Sequence, residues 1–476
     1  MIMKRNLKYI SSFILCGALL ASCTKKVDLN PTYTVNGDAS FNTIEDYEAA
    51  LTGAYVRLKA GNYYGSGSSN AFVGLPDMLS DNLYETTESL SNYTTLQRWA
   101  YTADDGNIEG IWLNAYTVVQ QANLAMRNID KLSSSNAGAV NRIKGQALAL
   151  RALAHFDLFR YFGEEYNRNS TKLGIPYVEV FDLEQKPARL TVKGTYDKIE
   201  ADLKLAKQLM SNTDKAIQTS SRAYIDSLVV DAMLARMYNY AGVSDSAIKY
   251  ASIVINTRPL ASAAAFPLIW QDASTAEVIW AVKFEQGNSG IGDNIYYVTG
   301  NRASYRPTTN LLSLYNTSTD IRYSSYFQVR PRGSSSRLVL SKYLAKQPYL
   351  NKPDGIVDFK AFRTGEMYLI RAEAYARKGD DVSALADLNT LRSARGATVG
   401  AETGAALLTA IMDERRKELV GEGHRFFDLK RTTRTINRTT NCTNFCTLLP
   451  GAREWAFPIP QSEITANPQM VQNPGY

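Results

Sequence analysis

The feature that most constrains the fold is an internal echo. Segments 228–256 and 365–395 overlay without a gap, so that Ala235, Tyr238 and Ala247 recur as Ala372, Tyr375 and Ala384. A small residue, an aromatic three later and a second small residue nine after that is the spacing of a tetratricopeptide helix pair. Two antiparallel helices approach closely only where small residues meet at the crossing, and the tyrosine wedges beside them. Helical periodicity also marks 42–59, 108–131, 138–164, 194–211, 222–241, 243–256, 365–378, 381–395 and 404–420. Asn42 or Thr43 is placed to cap the first of these. The fold expected is mainly α, a tetratricopeptide-like helix-pair scaffold with long loops and a few short β-strands. Two distant copies do not make a regular solenoid, so the mixed stretch 257–360 reads as an insertion, with strands at 276–284 and 336–343.

Residues 1–22 read as a leader. Lys4, Arg5 and Lys8 precede an apolar run, Tyr9 to Leu20, too short to span a bilayer permanently. Leu20-Ala21-Ser22-Cys23 follows directly and has the pattern of a bacterial lipobox, which makes Cys23 the expected lipidation site. Acyl chains there would anchor the protein, at about 0.8 kcal/mol per buried CH₂. Residues 23–40 are polar and read as a lipidated tether, and 41–476 as one domain. Its scaffold is expected at about 108–256 and 365–431, its loop-rich parts at about 61–105 and 257–360. Removing the leader's three basic residues takes the formal charge from +7 to +4, which gives no case for nucleic acid. In an oxidising envelope Cys442 and Cys446 suggest a local disulfide, and their C-x₃-C spacing has no second metal half-site within reach.

The chain holds only two histidines, His155 and His424, against 29 tyrosines. Scarce imidazole leaves little room for a histidine metal centre or relay. No P-loop, GxGxxG, HExxH or G-x-S-x-G occurs, and no cofactor or metal is expected. Glu414 and Glu418 lie on one helical face, which suits a solvated or ion-paired surface better than the two carboxylates across a cleft that glycoside hydrolysis needs. Gly421 and Gly423 read as helix terminators, with Arg425 and Asp428 bonding back to freed backbone groups. Catalytic residues are therefore expected to be absent.

Longer motifs carry a resemblance. Tyr368-Leu-Ile-Arg371-Ala-Glu373-Ala374-Tyr375 with Ala384–Arg392, then Glu414-Arg415-Arg416-Lys-Glu418 through Glu422-Gly423-His-Arg425-Phe-Phe-Asp428-Leu429-Lys-Arg431, resemble signature blocks of the SusD/RagB family. The ending Pro458-Ile-Pro460…Glu463…Asn467-Pro468…Gln472-Asn473-Pro474-Gly475-Tyr476 is similar to that family's, and Phe41…Tyr55 and Trp112…Asn123 fit its first helices. The resemblance implies a non-enzymatic outer-membrane lipoprotein, facing the cell surface, of helical fold. It would capture oligo- or polysaccharide as the lid of a SusC-like TonB-dependent β-barrel transporter. Some members handle peptides, so a peptide-binding lid is the alternative; a purely scaffolding envelope protein and a surface glycosidase are the rivals outside that class. Surface lipoproteins of such bacteria often carry acids just after the cysteine, whereas here Thr24-Lys25-Lys26 come first.

A sugar ring presents a flat C–H face for an aromatic ring and hydroxyls for amides, carboxylates and guanidinium groups. Two Tyr/Asn/Gly-rich loops offer both. In 61–105 the candidates are Tyr63, Tyr64, Tyr84, Tyr93 and Trp99, with Asn82 and Asn92. In 286–310 they are Tyr296, Tyr297 and Tyr305, beside Asn294, Asn301 and Arg302. Trp112, Trp270 and Trp280 read as core.

Overall fold

The computed structural model describes residues 41–182, 184–210 and 222–476. The leader, Cys23 and the whole of the tether lie outside them. The chain divides into two compact units, Met1–Asp46 and Tyr47–Tyr476. In the first, the described residues form a reciprocal cap: Asn42 and Thr43 amides donate to Asp46 Oδ2 while the Asp46 amide donates to Thr43 Oγ1. This cap opens helix α1 (Ile44–Arg57).

The second unit is a helical scaffold: α2 (Gly106–Met126), α3 (Ser133–Phe162), α4 (Val192–Met210), α5 (Ser227–Ala241), α6 (Ser244–Thr257), α7 (Thr364–Arg377), α8 (Asp381–Ala394), α9 (Gly404–Glu418) and the short α10 (Arg425–Arg431). The caps are those the sequence supplies. Asp105, Asp226 and Asp380 accept from backbone amides at the starts of α2, α5 and α8. Gly242 and Gly379 supply the positive φ on which the chain turns between the helices of each pair.

The two helix pairs, α5–α6 and α7–α8, are neighbours in space, because α6 packs directly against α7. Ala235, Ala247, Ala372 and Ala384 are all fully buried at these crossings. Tyr238 lies flat on Tyr250, ring centroids 5.7 Å apart, and donates to Glu200. Tyr375 packs against a cluster of Leu369, Leu388, Leu391 and Ile411. The tetratricopeptide-like packing is thus continuous, and everything between Arg258 and Arg363 is looped out of it. Trp112, Trp270 and Trp280 are core residues, at most 3% exposed.

The looped-out part carries short antiparallel ribbons. After β1 (Leu83–Glu85) come β2 (Val278–Val282), β3 (Tyr296–Tyr297), β4 (Arg302–Ala303), β5 (Tyr305–Pro307), β6 (Phe327–Arg332), β7 (Ser335–Leu340) and β8 (Phe359–Arg363). β2 pairs with β8, β3 with β4 and β6 with β7. The decisive pairing for the site is β1 with β5, in the register Leu83↔Pro307, Tyr84↔Arg306 and Glu85↔Tyr305. It ties the 61–105 loop to the 286–310 loop.

Segment 61–105 differs from the loose loop its weak periodicity predicts. Residues 69–80 are buried throughout. Its irregular backbone is satisfied by side-chain amides. Asn70, at φ +50°, donates to the carbonyls of Tyr64 and Gly65 and accepts from the Gly74 amide. Buried polar backbone needs such partners, and period counting does not register them.

The Glu414–Arg431 block is ion-paired and buried rather than solvated. Arg363 bonds Glu277 at 2.7 Å, Glu418 at 2.9 Å and Glu422 at 2.7 Å. Arg395 bonds Glu277 and Glu418, and Arg322 bonds Glu414 and Glu418. None of these seven side chains is more than 5% exposed. Burial alone would raise the Glu414 carboxyl, but Arg322 and Lys417 outweigh it and hold it at about 2. Arg425 and Asp428 do not return to the helix end: Arg425 pairs with Asp81 at 2.8 Å, and Asp428 with Arg415 and Arg431. A carboxylate is a stronger partner for a desolvated guanidinium than a carbonyl.

Candidate ligand-binding site

Loop 61–105 and loop 286–310, joined by the β1–β5 pairing, enclose a cavity of about 240 Å³. One wall holds Ser66, Ser89, Leu90, Asn92 and Tyr93; the other holds Asp293, Asn294, Tyr297, Arg302 and Tyr305. Three of the predicted residues, Tyr297, Arg302 and Tyr305, therefore meet there, with their predicted neighbours Asn92, Tyr93 and Asn294.

The walls are held by cross-loop bonds. Tyr93 donates to the Ser68 carbonyl at 2.6 Å, Asn294 donates to the same carbonyl, and Ser66 donates to the Gly290 carbonyl. Tyr297 and Arg302 face each other across the β3–β4 hairpin, and the guanidinium carbon lies 5.2 Å from the ring centroid. Gly300 makes room for that ring, since a Cβ there would stand 2.3 Å from it. Tyr297 is half-buried and Tyr305 fully buried. Arg302 forms no ion pair among the described residues, and its Nε has no hydrogen-bond partner.

Tyr296 and Asn301 stand behind this surface. Tyr296 donates to Asn301 Oδ1 at 2.9 Å and accepts from Arg330. Asn301, at φ +45°, donates to the Pro331 carbonyl and thereby fixes the hairpin tip. Tyr84 lies outside the cavity lining, with the Arg306 guanidinium 5.9 Å above its ring.

Three candidates are core instead. Tyr63 and Tyr64 are 0% and 2% exposed, and both donate to Asp157 Oδ2, at 2.8 and 2.9 Å. Their hydroxyls solvate a buried carboxylate that Arg160 neutralises. Trp99, 6% exposed, donates to the Leu79 carbonyl and carries Arg438 3.8 Å above its ring. The companion Asn82 is likewise buried, donating to Asp77. The aromatic count of loop 61–105 is thus spent mostly inward.

Asp293 is the charged lining residue that sequence reasoning missed. It sits one position before Asn294, and glycines at 290 and 355 leave space for its carboxyl. It accepts from the Gly290 amide, and burial pushes it up to about 6 against the pull of backbone amides and Arg302. A carboxyl beside a guanidinium and an aromatic ring is a set that orients hydroxyl groups.

A larger cleft, about 910 Å³, opens between Glu164, Tyr166, Tyr240, Lys430 and Trp455. Its cations are already occupied. Lys430 donates to the carbonyls of Arg160 and Gly163, and Arg377 pairs with Glu373. Volume alone does not make it the better candidate.

Both histidines are structural. His155 accepts from the Val178 amide and lies 3.8 Å from the Tyr177 ring, and His424 stands against Arg415. Burial holds both well below the usual imidazole range. Cys442 and Cys446 form a disulfide. Among the described residues no group of His, Cys, Asp and Glu is placed to hold a metal ion, and no helix is long and apolar enough to cross a membrane.

A helix-pair scaffold that presents a small polar and aromatic cavity on looped-out ribbons defines a ligand-binding class of protein. Residues 313–476 match the family described as "SusD family", and residues 35–238 match the one described as "Starch-binding associating with outer membrane". The chain belongs to the SusD/RagB family. It is 24% identical to SusD-like protein P2 of Formosa agariphila, over 98% of this chain and all of that one. Its fold matches the crystal structure of a SusD superfamily protein from Bacteroides thetaiotaomicron with a TM-score of 0.81 and 27% identity, covering 91% of this chain and all of that one. A putative sugar binding protein from Bacteroides vulgatus matches with a TM-score of 0.78 and 27% identity, over 92% and 99% of the two chains.

Proposed function

We propose that this protein is a glycan-binding lipoprotein, anchored in the outer membrane through Cys23. It would capture oligo- or polysaccharide at the surface and deliver it to a partner SusC-like TonB-dependent transporter. One observation carries the reading: the two loops richest in Tyr, Asn and Gly converge on one cavity, where Tyr297 stands beside Arg302, Asp293 and Asn294. An aromatic face with donors and acceptors around it is what a sugar ring requires. Family membership, the outer-membrane association of the matching family, and likeness to a putative sugar binding protein support it. The protein binds rather than converts its ligand: the paired glutamates of the signature helix are consumed in buried ion pairs, and both histidines are locked in the core.

The test is calorimetric titration of the chain from residue 24 onward with oligosaccharide and oligopeptide panels. Oligosaccharides should give heat. Tyr297→Ala should weaken their binding about 5- to 30-fold, the worth of one aromatic contact of roughly 1–2 kcal/mol. Heat from oligopeptides alone would replace the glycan with a peptide, and heat from neither would leave the scaffolding role.

A further inference from the structure

The hairpin that carries Tyr297 is bedded in arginines. Arg302 stands on it, and four more gather where it meets the β6–β7 ribbon. Arg306 donates to the Leu338 carbonyl, Arg330 to Tyr296 Oη, and Arg332 and Arg337 both to the Asn301 carbonyl. Against these five guanidinium groups the same joint sets few carboxylates. Glu88 takes two bonds from Arg337, at 2.8 and 2.9 Å, and lies 3.5 Å from Arg332. Glu85 is engaged by the hydroxyls of Ser89 and Thr94. Asp293 lies on the cavity wall. Among the described residues Arg302, Arg306 and Arg330 form no ion pair, whereas Arg337, Arg363, Arg395 and Arg415 each hold a carboxylate. Of these three, Arg302 alone lines the cavity, beside the Asp293 carboxyl and the hydroxyls and amides of the wall, and a guanidinium without a carboxylate partner provides forked donors for carboxylate or sulfate.

We infer that the cavity takes a glycan bearing anionic groups, carboxylates of uronic acids or sulfate esters, with Arg302 as the direct contact and Arg306, Arg330 and Arg332 as the surrounding positive field. The inference rests on the glycan reading above and narrows its substrate class. Field and contact play separate parts: the flanking arginines attract the chain over roughly a Debye length, about 10 Å at 0.1 M salt, and Arg302 bonds one anionic group.

Oligogalacturonate, sulfated dextran oligomers and neutral dextran oligomers of matched length, titrated into the protein at 50 and 300 mM NaCl, provide the test. At least one acidic series should bind about tenfold or more tighter than the neutral one, and which series does so tells carboxylate from sulfate. That margin should shrink at the higher salt. Arg302→Gln should remove most of it, weakening the acidic series far more than the neutral one at an unchanged melting temperature, and Arg302→Lys should retain part. Arg330→Gln, tested separately, should reduce the salt dependence. Neutral oligomers binding as tightly as acidic ones, or a margin that survives both glutamine variants, would overturn the inference and leave the glycan reading intact. No heat from any of the three series would also overturn the inference, and the oligosaccharide panel decides the glycan reading separately.

Discussion

Asp293 shows how one residue records the character of the site. Folding raises its carboxyl from 3.8 to about 6, chiefly by burial. The folded state therefore keeps the proton at pH values where the unfolded chain has released it. Stability from this group is fully present below pH 3.8 and is lost as pH rises through about 6. Asp293→Asn should raise the melting temperature at pH 8, by an amount equivalent to about 2–3 kcal/mol at most, and leave it unchanged at pH 3.5. Thermal melts at the two pH values check this. An equal effect at both would mean that the carboxyl is not held in its raised state. The hydroxyls of Tyr63 and Tyr64 make the same point in reverse, since a tyrosine beside a buried carboxylate serves the core and has none left for a ligand.

At the scale of elements, the regular parts were legible and the irregular ones were not. The periodicity at 365–378 and 381–395 corresponds to α7 at Thr364–Arg377 and α8 at Asp381–Ala394, because both bury one alanine-lined face. Tyr297, Arg302 and Tyr305 were legible as a cluster because they sit within one short loop. That Tyr93 would join them, and that Tyr63, Tyr64 and Trp99 would not, depends on the β1–β5 pairing and on Asn70, contacts between distant residues that leave no local period. Glycines in such segments are set by neighbours far along the chain. Gly423, at φ +81°, lies where a Cβ would meet the Phe72 carbonyl at 2.1 Å. Gly423→Ala should destabilise by about 3 kcal/mol, from backbone strain and overpacking together. Gly138→Ala, on a helical position with open space around it, should stabilise by about 0.5–1 kcal/mol. Denaturant titration of both variants checks the pair, and similar costs at the two positions would remove the distinction.

At the scale of the whole molecule, the signature block and the joined loops treat arginine differently. Inside, Arg322, Arg363 and Arg395 are matched to Glu277, Glu414, Glu418 and Glu422, so the signature block of the sequence binds α9 to the strands and to α8. At the joined loops Arg302, Arg306 and Arg330 form no ion pair among the described residues, and there the scaffold presents its cavity. The tyrosine surplus divides in the same way, with Tyr238 and Tyr375 between helices and Tyr297 on the cavity wall. The central claim is that the joined loops, and not the larger cleft beside Lys430, hold the sugar. Crystals of the protein soaked with the tightest-binding oligosaccharide test it most directly. The account predicts a sugar ring stacked within about 4 Å of Tyr297, with an acidic or hydroxyl group bonded to Arg302 and a hydroxyl group donating to Asp293. A ring bound only in the Tyr166–Lys430 cleft, with Tyr297 bare, would contradict it.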